Sequence, residues 1–69
     1  MTWEELCKKA KELGYHSDYY LKDDEEVGYI YCNDYMYMDE DGEITTSADN
    51  VVIDNRTYDQ MYQIMLALK

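Results

Sequence analysis

The side chains of this 69-residue chain that could do chemistry are mostly carboxylates. Sixteen Asp and Glu stand against six Lys and Arg, which gives a formal net charge of −10. A general acid–base pair needs one carboxyl group with a raised pKa, and a raised pKa requires burial. No pattern in the sequence predicts a pocket around any acidic pair. The carboxylates are therefore interpreted as surface charges, and the chain is predicted not to be an enzyme.

One short stretch resembles the middle of a calcium-binding loop. Asp39, Asp41 and Gly42 fall at positions 3, 5 and 6 of that loop. Its first and twelfth positions would be Tyr37 and Ala48, where acidic ligands are required. The stretch is therefore predicted to be a hairpin turn, and no metal or other cofactor is predicted.

The nucleophilic and zinc-binding side chains are few and scattered. His16 is the single histidine, and its neighbour Ser17 points to the opposite face of any strand that contains both. Cys7 and Cys32 stand alone, without the spacing of a zinc site, which needs three or four ligands. We expect both cysteines to be reduced thiols that act as small apolar fillers.

The negative charge is concentrated in the middle of the chain. Residues 16–54 carry twelve acids and one base, Lys22, whereas residues 1–15 are neutral overall and residues 55–69 carry +1. Such a balance disfavours direct binding to nucleic acid or to an anionic membrane, both of which attract Lys and Arg. Turns are often acidic because they are solvated, which is one interpretation. The other is that this segment docks into a strongly basic groove, since concentrated charge destabilises a fold through self-repulsion.

Tyrosines are interleaved with these acids. Seven of the nine lie between positions 15 and 37, and a sheet with helices on one face leaves some of them on its open face. Tyrosine is favoured in protein interfaces, although it could equally replace the absent Phe in a small core. The predicted partner-binding residues are Asp23, Asp24, Glu25, Glu26, Tyr29, Tyr31, Tyr35, Tyr37, Asp39, Glu40, Asp41 and Glu43.

Two amphipathic helices are predicted at the ends of the chain. Thr2 and Glu5 form a capping box before a helix over residues 2–13, and Gly14 follows as its C-cap. A second capping box, from Thr57 to Gln60, begins the last helix. Apolar residues follow at helical spacing and predict its buried or interface face: Tyr58, Met61, Tyr62, Ile64, Met65 and Leu68.

Between the helices the apolar pattern changes to the period of strands. Short strands are predicted over residues 15–22, 27–32, 35–38, 43–46 and 51–54, with charged turns at 23–26 and 39–42. Val27, Tyr29 and Tyr31 should share one face. Asn33-Asp34 either continues the second strand, which places a carboxylate on an apolar face, or forms a hairpin turn. The turn is favoured, because it leaves Asp34 in solvent.

Together these elements predict one α+β domain over residues 1–69. It comprises an N-terminal helix, an antiparallel β-meander of three to five short strands and a C-terminal helix, with both helices on one face of the sheet. The longest apolar run is shorter than the roughly 18 residues of a membrane span. The first five residues lack the basic and apolar regions of a signal peptide, so a cytoplasmic location is predicted.

The small size, the acid-rich strands and turns and the helix–meander–helix order resemble the small anti-CRISPR proteins of phages and mobile elements. One group of these proteins occupies the cleft of Cas9 that reads the DNA motif beside the target, and acts as a DNA mimic. The resemblance implies a non-enzymatic inhibitor in the host bacterial cytoplasm. Its partner would be a basic protein such as a CRISPR effector or another defence nuclease.

A second function class fits the same sequence. The chain could be a small structural or assembly protein that forms a homodimer. An exposed strand edge or the broad Met/Tyr face of the last helix would then be the interface. In that case the acidic surface is a solvated one.

Overall fold

The computed structural model describes residues 1–33, 36–46 and 52–68. Within them, two helices and five strands follow one another along the chain: α1 (Trp3–Glu12), β1 (His16–Lys22), β2 (Glu25–Asn33), β3 (Met36–Asp39), β4 (Ile44–Thr46), β5 (Val52–Ile53) and α2 (Tyr58–Ala67). The strands form one antiparallel sheet in sequence order, so the chain is an α+β meander with a helix at each end. This confirms the predicted fold class.

Both helices begin at the predicted capping boxes. The Thr2 hydroxyl accepts a hydrogen bond from the Glu5 amide at 3.1 Å, and the Glu5 carboxylate accepts one from the Thr2 amide at 3.2 Å. That second bond lowers the pKa of the Glu5 carboxyl group, because it favours the ionised form. Thr57 and Gln60 make the same reciprocal pair before α2. Gly14 follows α1 with a φ of 92°, as a C-terminal glycine does.

The core lies between the helices and one face of the sheet. Its buried members come from α1, α2 and the inward-facing positions of β2, β3 and β4: Leu6, Ala10, Ile30, Cys32, Met38, Ile44, Met61 and Met65. Of the predicted stripe on α2, Leu68 is exposed, because it follows the last helical turn. None of the helices in the described ranges is long and apolar enough to cross a membrane.

The two helices run parallel to each other. The rings of Trp3 and Tyr58 lie 5.6 Å apart at their first turns, and the Tyr15 hydroxyl, just beyond α1, donates to the carbonyl of Met65 near the end of α2. Trp3 also packs on Gly28, where an added Cβ would lie 2.5 Å from the indole nitrogen. A glycine is needed at this position for the helix to approach the sheet so closely.

The strand boundaries correct the predicted turns. The first connection contains only residues 23–24, so Glu25 and Glu26 belong to β2. The β2 and β3 strands pair antiparallel, which confirms the hairpin. However, Asn33 lies in β2 and pairs with Met36. Asp34 lies outside the described residues, as do Tyr35 and residues 47–51, so no contact is assigned to the predicted partner residue Tyr35.

Successive connections in a meander alternate between the two ends of the sheet, so the β1–β2 and β3–β4 connections share one end. The segment before α2 meets them there, since the Arg56 amide donates to the Gly42 carbonyl at 3.0 Å. We call this the acidic end, after the acids that lie in its two connections or directly beside them in the adjoining strands: Asp23, Asp24, Glu25, Glu26, Asp39, Glu40, Asp41 and Glu43. The topology thus gathers acids that are up to 20 positions apart in sequence.

Candidate binding surface at the acidic end and open face of the sheet

Four tyrosines form a contiguous array on the sheet face that the helices leave open. Tyr29 is central: its ring centroid lies 5.5 Å from that of Tyr20, 6.0 Å from Tyr31 and 5.9 Å from Tyr37, in edge-to-face geometry. Tyr31 and Tyr37 stack at 6.1 Å. Such pairs add stabilisation beyond their buried area. We call these four residues the tyrosine cluster.

Strand register explains why these residues meet. Tyr31 is directly opposite Tyr37, and alternation places Tyr29 on the same face as Tyr31. Tyr20 enters from β1, where it is opposite Val27. The four rings line a shallow hollow of about 200 Å³, and Tyr31 keeps 45% of its surface exposed. The predicted residues Tyr29, Tyr31 and Tyr37 are thus brought together on an open surface.

Carboxylates flank the cluster on both sides. Across the sheet, Tyr29 is opposite Asp18 on β1 and Asp39 on β3. Asp18 is exposed, and one of its oxygens accepts a hydrogen bond from the adjacent Tyr19 amide at 2.8 Å. The sequence prediction omitted Asp18 and Tyr20, although alternation along a strand over residues 15–22 puts both on one face.

Residues 23–26 form what we call the hairpin tip. All four are exposed, and none has a cationic side chain within 4 Å in the described parts of the chain. Asp23 and Asp24 adopt left-handed backbone, with φ of 52° and 65°, as a two-residue hairpin turn requires. Aspartate tolerates this conformation better than most residues. The tip therefore presents four exposed carboxylates that form no ion pair within the described residues, although Lys22 is opposite Glu25 across the two strands.

Asp39 has a different environment, although the sequence placed it in the same group. It is 1% exposed, and its Oδ1 accepts hydrogen bonds from the amides of Asp41 at 3.0 Å and Glu43 at 3.1 Å. Its Oδ2 accepts one from the Tyr20 hydroxyl at 3.1 Å. Burial, and then this bond, raise the pKa of Tyr20 to about 12. Asp39 therefore builds the connection between β3 and β4 and is not available to a partner.

Lys22 is the cation that holds this connection. Its ammonium lies 2.8 Å from a Glu43 oxygen, 3.6 Å from Asp41 and 3.8 Å from Asp39. The hydrogen bond to Glu43 raises the pKa of the Lys22 ammonium. Three carboxylates against one ammonium leave a formal charge of −2 at this point. Asp41 and Glu43 remain partly exposed but have an internal partner.

Glu40 also serves the fold. Its Oε1 accepts a hydrogen bond from the Gly28 amide at 2.8 Å, and its own amide donates to the Gly28 carbonyl at 2.9 Å. Its carbonyl accepts a bond from the Tyr58 hydroxyl at 2.7 Å. Glu40 thus joins β2 to the start of α2, and no local sequence pattern predicts this role.

The remaining reactive groups are not arranged as a catalytic set. His16 and Ser17 lie on opposite faces of β1, opposite Tyr31 and Ile30 respectively. Both cysteines are free thiols, and burial raises the pKa of each, that of Cys32 to about 11. Such thiols are poorly nucleophilic at neutral pH. Within residues 1–33, 36–46 and 52–68, no three His, Cys, Asp or Glu side chains are placed to hold a metal ion.

Comparison of the chain with protein-family models, curated proteins and solved structures finds no match.

Proposed function

We propose that this protein is a non-enzymatic inhibitor that occupies the basic nucleic-acid-binding cleft of a CRISPR effector or other defence nuclease. In this proposal its carboxylates take the places of phosphates. The observation that carries the proposal is the hairpin tip, where four successive exposed carboxylates form no ion pair in the described parts of the chain, on a sheet that also carries an open tyrosine surface.

Charge density supports the comparison with a phosphate backbone. One strand of duplex DNA carries a charge about every 3.4 Å of helix axis. Residues of an extended chain advance by about 3.3 Å, and residues in a turn advance by less. Four charges on four successive residues therefore give the tip at least the linear charge density of one DNA strand. A carboxylate also accepts paired hydrogen bonds from arginine much as a phosphate does.

The different roles of the acids also support the proposed function. Asp39 and Glu40 are hydrogen-bonded within the fold, and Lys22 neutralises part of the charge of Asp41 and Glu43. If the acids served solubility alone, mixed charges would do so with less self-repulsion. The unneutralised tip is explained if a cationic partner binds it.

The direct test is competition with DNA. Labelled target DNA is bound to purified Cas9 with its guide RNA, and in parallel to a panel of other CRISPR effectors, and its release is followed by fluorescence anisotropy. We expect the protein to release DNA from at least one effector, with a steep dependence on salt. The tip variant D23N/D24N/E25Q/E26Q should compete about 30-fold less well, if each lost contact contributes about 0.5 kcal/mol.

A matched control separates tip chemistry from net charge. The variant E4Q/E12Q/D54N/D59N removes the same four charges from exposed positions outside the tip and the open face. We expect it to compete within about three-fold of the wild type, since none of these four exposed carboxylates belongs to the tip or to the open face. The proposal is wrong if no effector in the panel releases its DNA, or if the folded tip variant competes as well as the wild type.

Self-association is the second candidate function, and one observation favours it. The β1 strand is an edge of the sheet, and its Tyr19 and Leu21 are 61% and 74% exposed. An antiparallel pairing of two β1 strands about Tyr20 would oppose Tyr19 to Leu21 and Asp18 to Lys22 of the second copy, which are favourable pairs. However, the Tyr19 amide already donates to Asp18, so part of this edge is satisfied in the isolated chain.

Sedimentation velocity at 0.15 M and 1 M NaCl distinguishes the two candidates. A structural dimer held by apolar contacts stays dimeric at high salt, and Leu21→Lys converts it to a monomer. The inhibitor is monomeric at both salt concentrations and loses its partner at the higher one.

A further inference from the structure

Among residues 1–33, 36–46 and 52–68, no cationic side chain makes a cation–π contact with the tyrosine cluster. Lys9 lies over Tyr62, 5.2 Å from the ring centroid, and this is the one cation–π contact in the described residues. It lies between the helices, away from the open face. Lys22 is held by Glu43 at 2.8 Å, and Asp41 and Asp39 lie close to its ammonium. The ring faces around the hollow are therefore free to receive a cation from outside.

The surroundings of the hollow attract positive charge. Tyr29 has Asp18 on one side and Asp39 on the other. Lys22 does not cancel the three carboxylates around it, since a formal charge of −2 remains there. Aromatic rings also present a negative face to a cation. The ring quadrupoles and the carboxylates thus both attract a cation to this hollow.

The aromatic lining of the hollow favours an arginine side chain over a lysine side chain. A guanidinium group is planar and weakly hydrated, so it stacks on an aromatic face at little desolvation cost. A lysine ammonium is compact and strongly hydrated. When it leaves water for an open aromatic surface, the rings replace few of the hydrogen bonds that the ammonium made to water. The rings of Tyr31 and Tyr37 are inclined to each other by 26°, and Tyr31 keeps 45% of its surface exposed for such stacking.

We propose that the tyrosine cluster binds an arginine side chain of the basic partner and selects it over lysine. This inference rests on the proposed function, because it names the chemistry by which the same partner is recognised. The hairpin tip attracts both cations by its charge, and the tyrosine cluster supplies most of the preference for arginine.

Two peptides test this directly: fluorescently labelled octa-arginine and octa-lysine, titrated with the protein at 0.15 M salt and followed by anisotropy. We expect the wild type to bind octa-arginine about five-fold more tightly than octa-lysine, as a cation–π contact at a partly exposed site implies. In the variant Y31L/Y37L the ratio of the two affinities should fall to about one, with octa-lysine affinity nearly unchanged. The single variant Y31L, at the most exposed ring of the cluster, should give an intermediate ratio.

Control variants separate this inference from the proposed function. Tyr19→Leu removes an exposed tyrosine from the other face of β1 and should leave the ratio unchanged. The tip variant should weaken both peptides in parallel and keep the ratio. If it weakens neither, the proposed function fails. If instead the wild type shows no preference, or the folded Y31L variant keeps the full preference, the arginine assignment is overturned.

A third peptide, octa-trimethyllysine, excludes a different occupant. Trimethylammonium groups bind aromatic cages but do not stack as planar groups do. Weaker binding than octa-arginine supports the assignment, and tighter binding overturns it.

Discussion

The hairpin tip and the β3–β4 connection lie at the same end of the molecule and have nearly the same composition, yet they use their acids in opposite ways. In residues 39–43, Asp39 and Glu40 accept hydrogen bonds within the fold, and Asp41 and Glu43 share Lys22. In residues 23–26, the four carboxylates have no cationic partner among the described residues. One acidic turn is part of the framework and the other is surface.

Charge count alone therefore does not locate a binding surface in this chain. A carboxylate that accepts two amide hydrogen bonds in a buried turn stabilises the fold, because it satisfies groups that would otherwise be unpaired. A carboxylate without such partners destabilises the fold slightly through repulsion. We therefore expect substitutions of acids in residues 39–43 to lower the free energy of unfolding much more than substitutions of acids in residues 23–26.

The largest effect is expected from Asp39→Ala. The change leaves the amides of Asp41 and Glu43 without their acceptor in a buried turn, so the free energy of unfolding should fall by about 3 kcal/mol. The corresponding fall in melting temperature is roughly 15 °C for a domain of this size. Urea unfolding followed by circular dichroism measures it. Glu25→Ala at the tip is the counterpart and should cost less than about 0.5 kcal/mol. Equal effects of the two changes would contradict the contrast.

Backbone conformation provides the next comparison. Gly42 has a φ of 89°, and an added Cβ would lie 2.8 Å from the Arg56 carbonyl oxygen. Gly42→Ala should therefore cost about 2 kcal/mol, from left-handed strain and this contact together. Asp24→Gly, at a φ of 65° in the exposed tip, should change stability by less than about 1 kcal/mol, because relief of strain offsets the extra freedom of the unfolded chain. A larger loss of unfolding free energy in Asp24→Gly than in Gly42→Ala would contradict this expectation.

Alkaline pH tests the bond between the open face and the buried turn. The pKa of Tyr20 is raised to about 12, first by burial and then by the bond to Asp39. Because a tyrosine in the unfolded chain ionises near 10, the unfolded state loses its proton first. The stability contributed by Tyr20 is therefore complete below about pH 10 and is lost as the pH rises towards 12.

Tyr20→Phe should lower stability at pH 8 by about 1 kcal/mol, through loss of that hydrogen bond. The difference from the wild type should then narrow as the pH approaches 11, which urea midpoints at pH 8, 10 and 11 will measure. Tyr19→Phe, exposed on the other face, is the control. A difference that stays constant with pH would show that the bond contributes nothing.

The smallest effect on stability is expected from the tip variant D23N/D24N/E25Q/E26Q. It removes four exposed charges without internal partners, so unfolding free energy should stay within about 0.5 kcal/mol of the wild type or rise slightly. A loss of more than about 2 kcal/mol would mean that the tip acids are structural after all. The variant is meant to change binding and not folding.

The parts of this fold that were predictable from sequence are those with local causes. Both capping boxes are recognised from residues three positions apart, and the faces of β2 follow from alternation at Tyr29 and Tyr31. The α+β order follows from where the apolar period changes. These signals need no knowledge of which strands pair.

The roles of the acids were not predictable in the same way. Asp39 bonds to Tyr20, 19 positions away, and Glu40 bonds to Gly28, 12 positions away. Such bonds depend on the pairing register of three strands. From sequence alone, Asp39 and Asp24 are both aspartates in charged turns. Register also explains why Tyr20 belongs to the tyrosine cluster, since the cross-strand pairing of β1 with β2 brings it near Tyr29.

With the two helices parallel, side chains of opposite charge lie at opposite ends of the molecule. The acids of the two connections lie at one end, beside the first turns of both helices, while Lys9 and Lys11 occupy the last turn of α1 at the other. Charges of opposite sign separated along one axis make a permanent dipole moment. In a field from a basic cleft, such a molecule experiences a torque as well as an attraction. Its acidic end would turn towards the cleft before contact, so a larger fraction of encounters would occur in the orientation that binds.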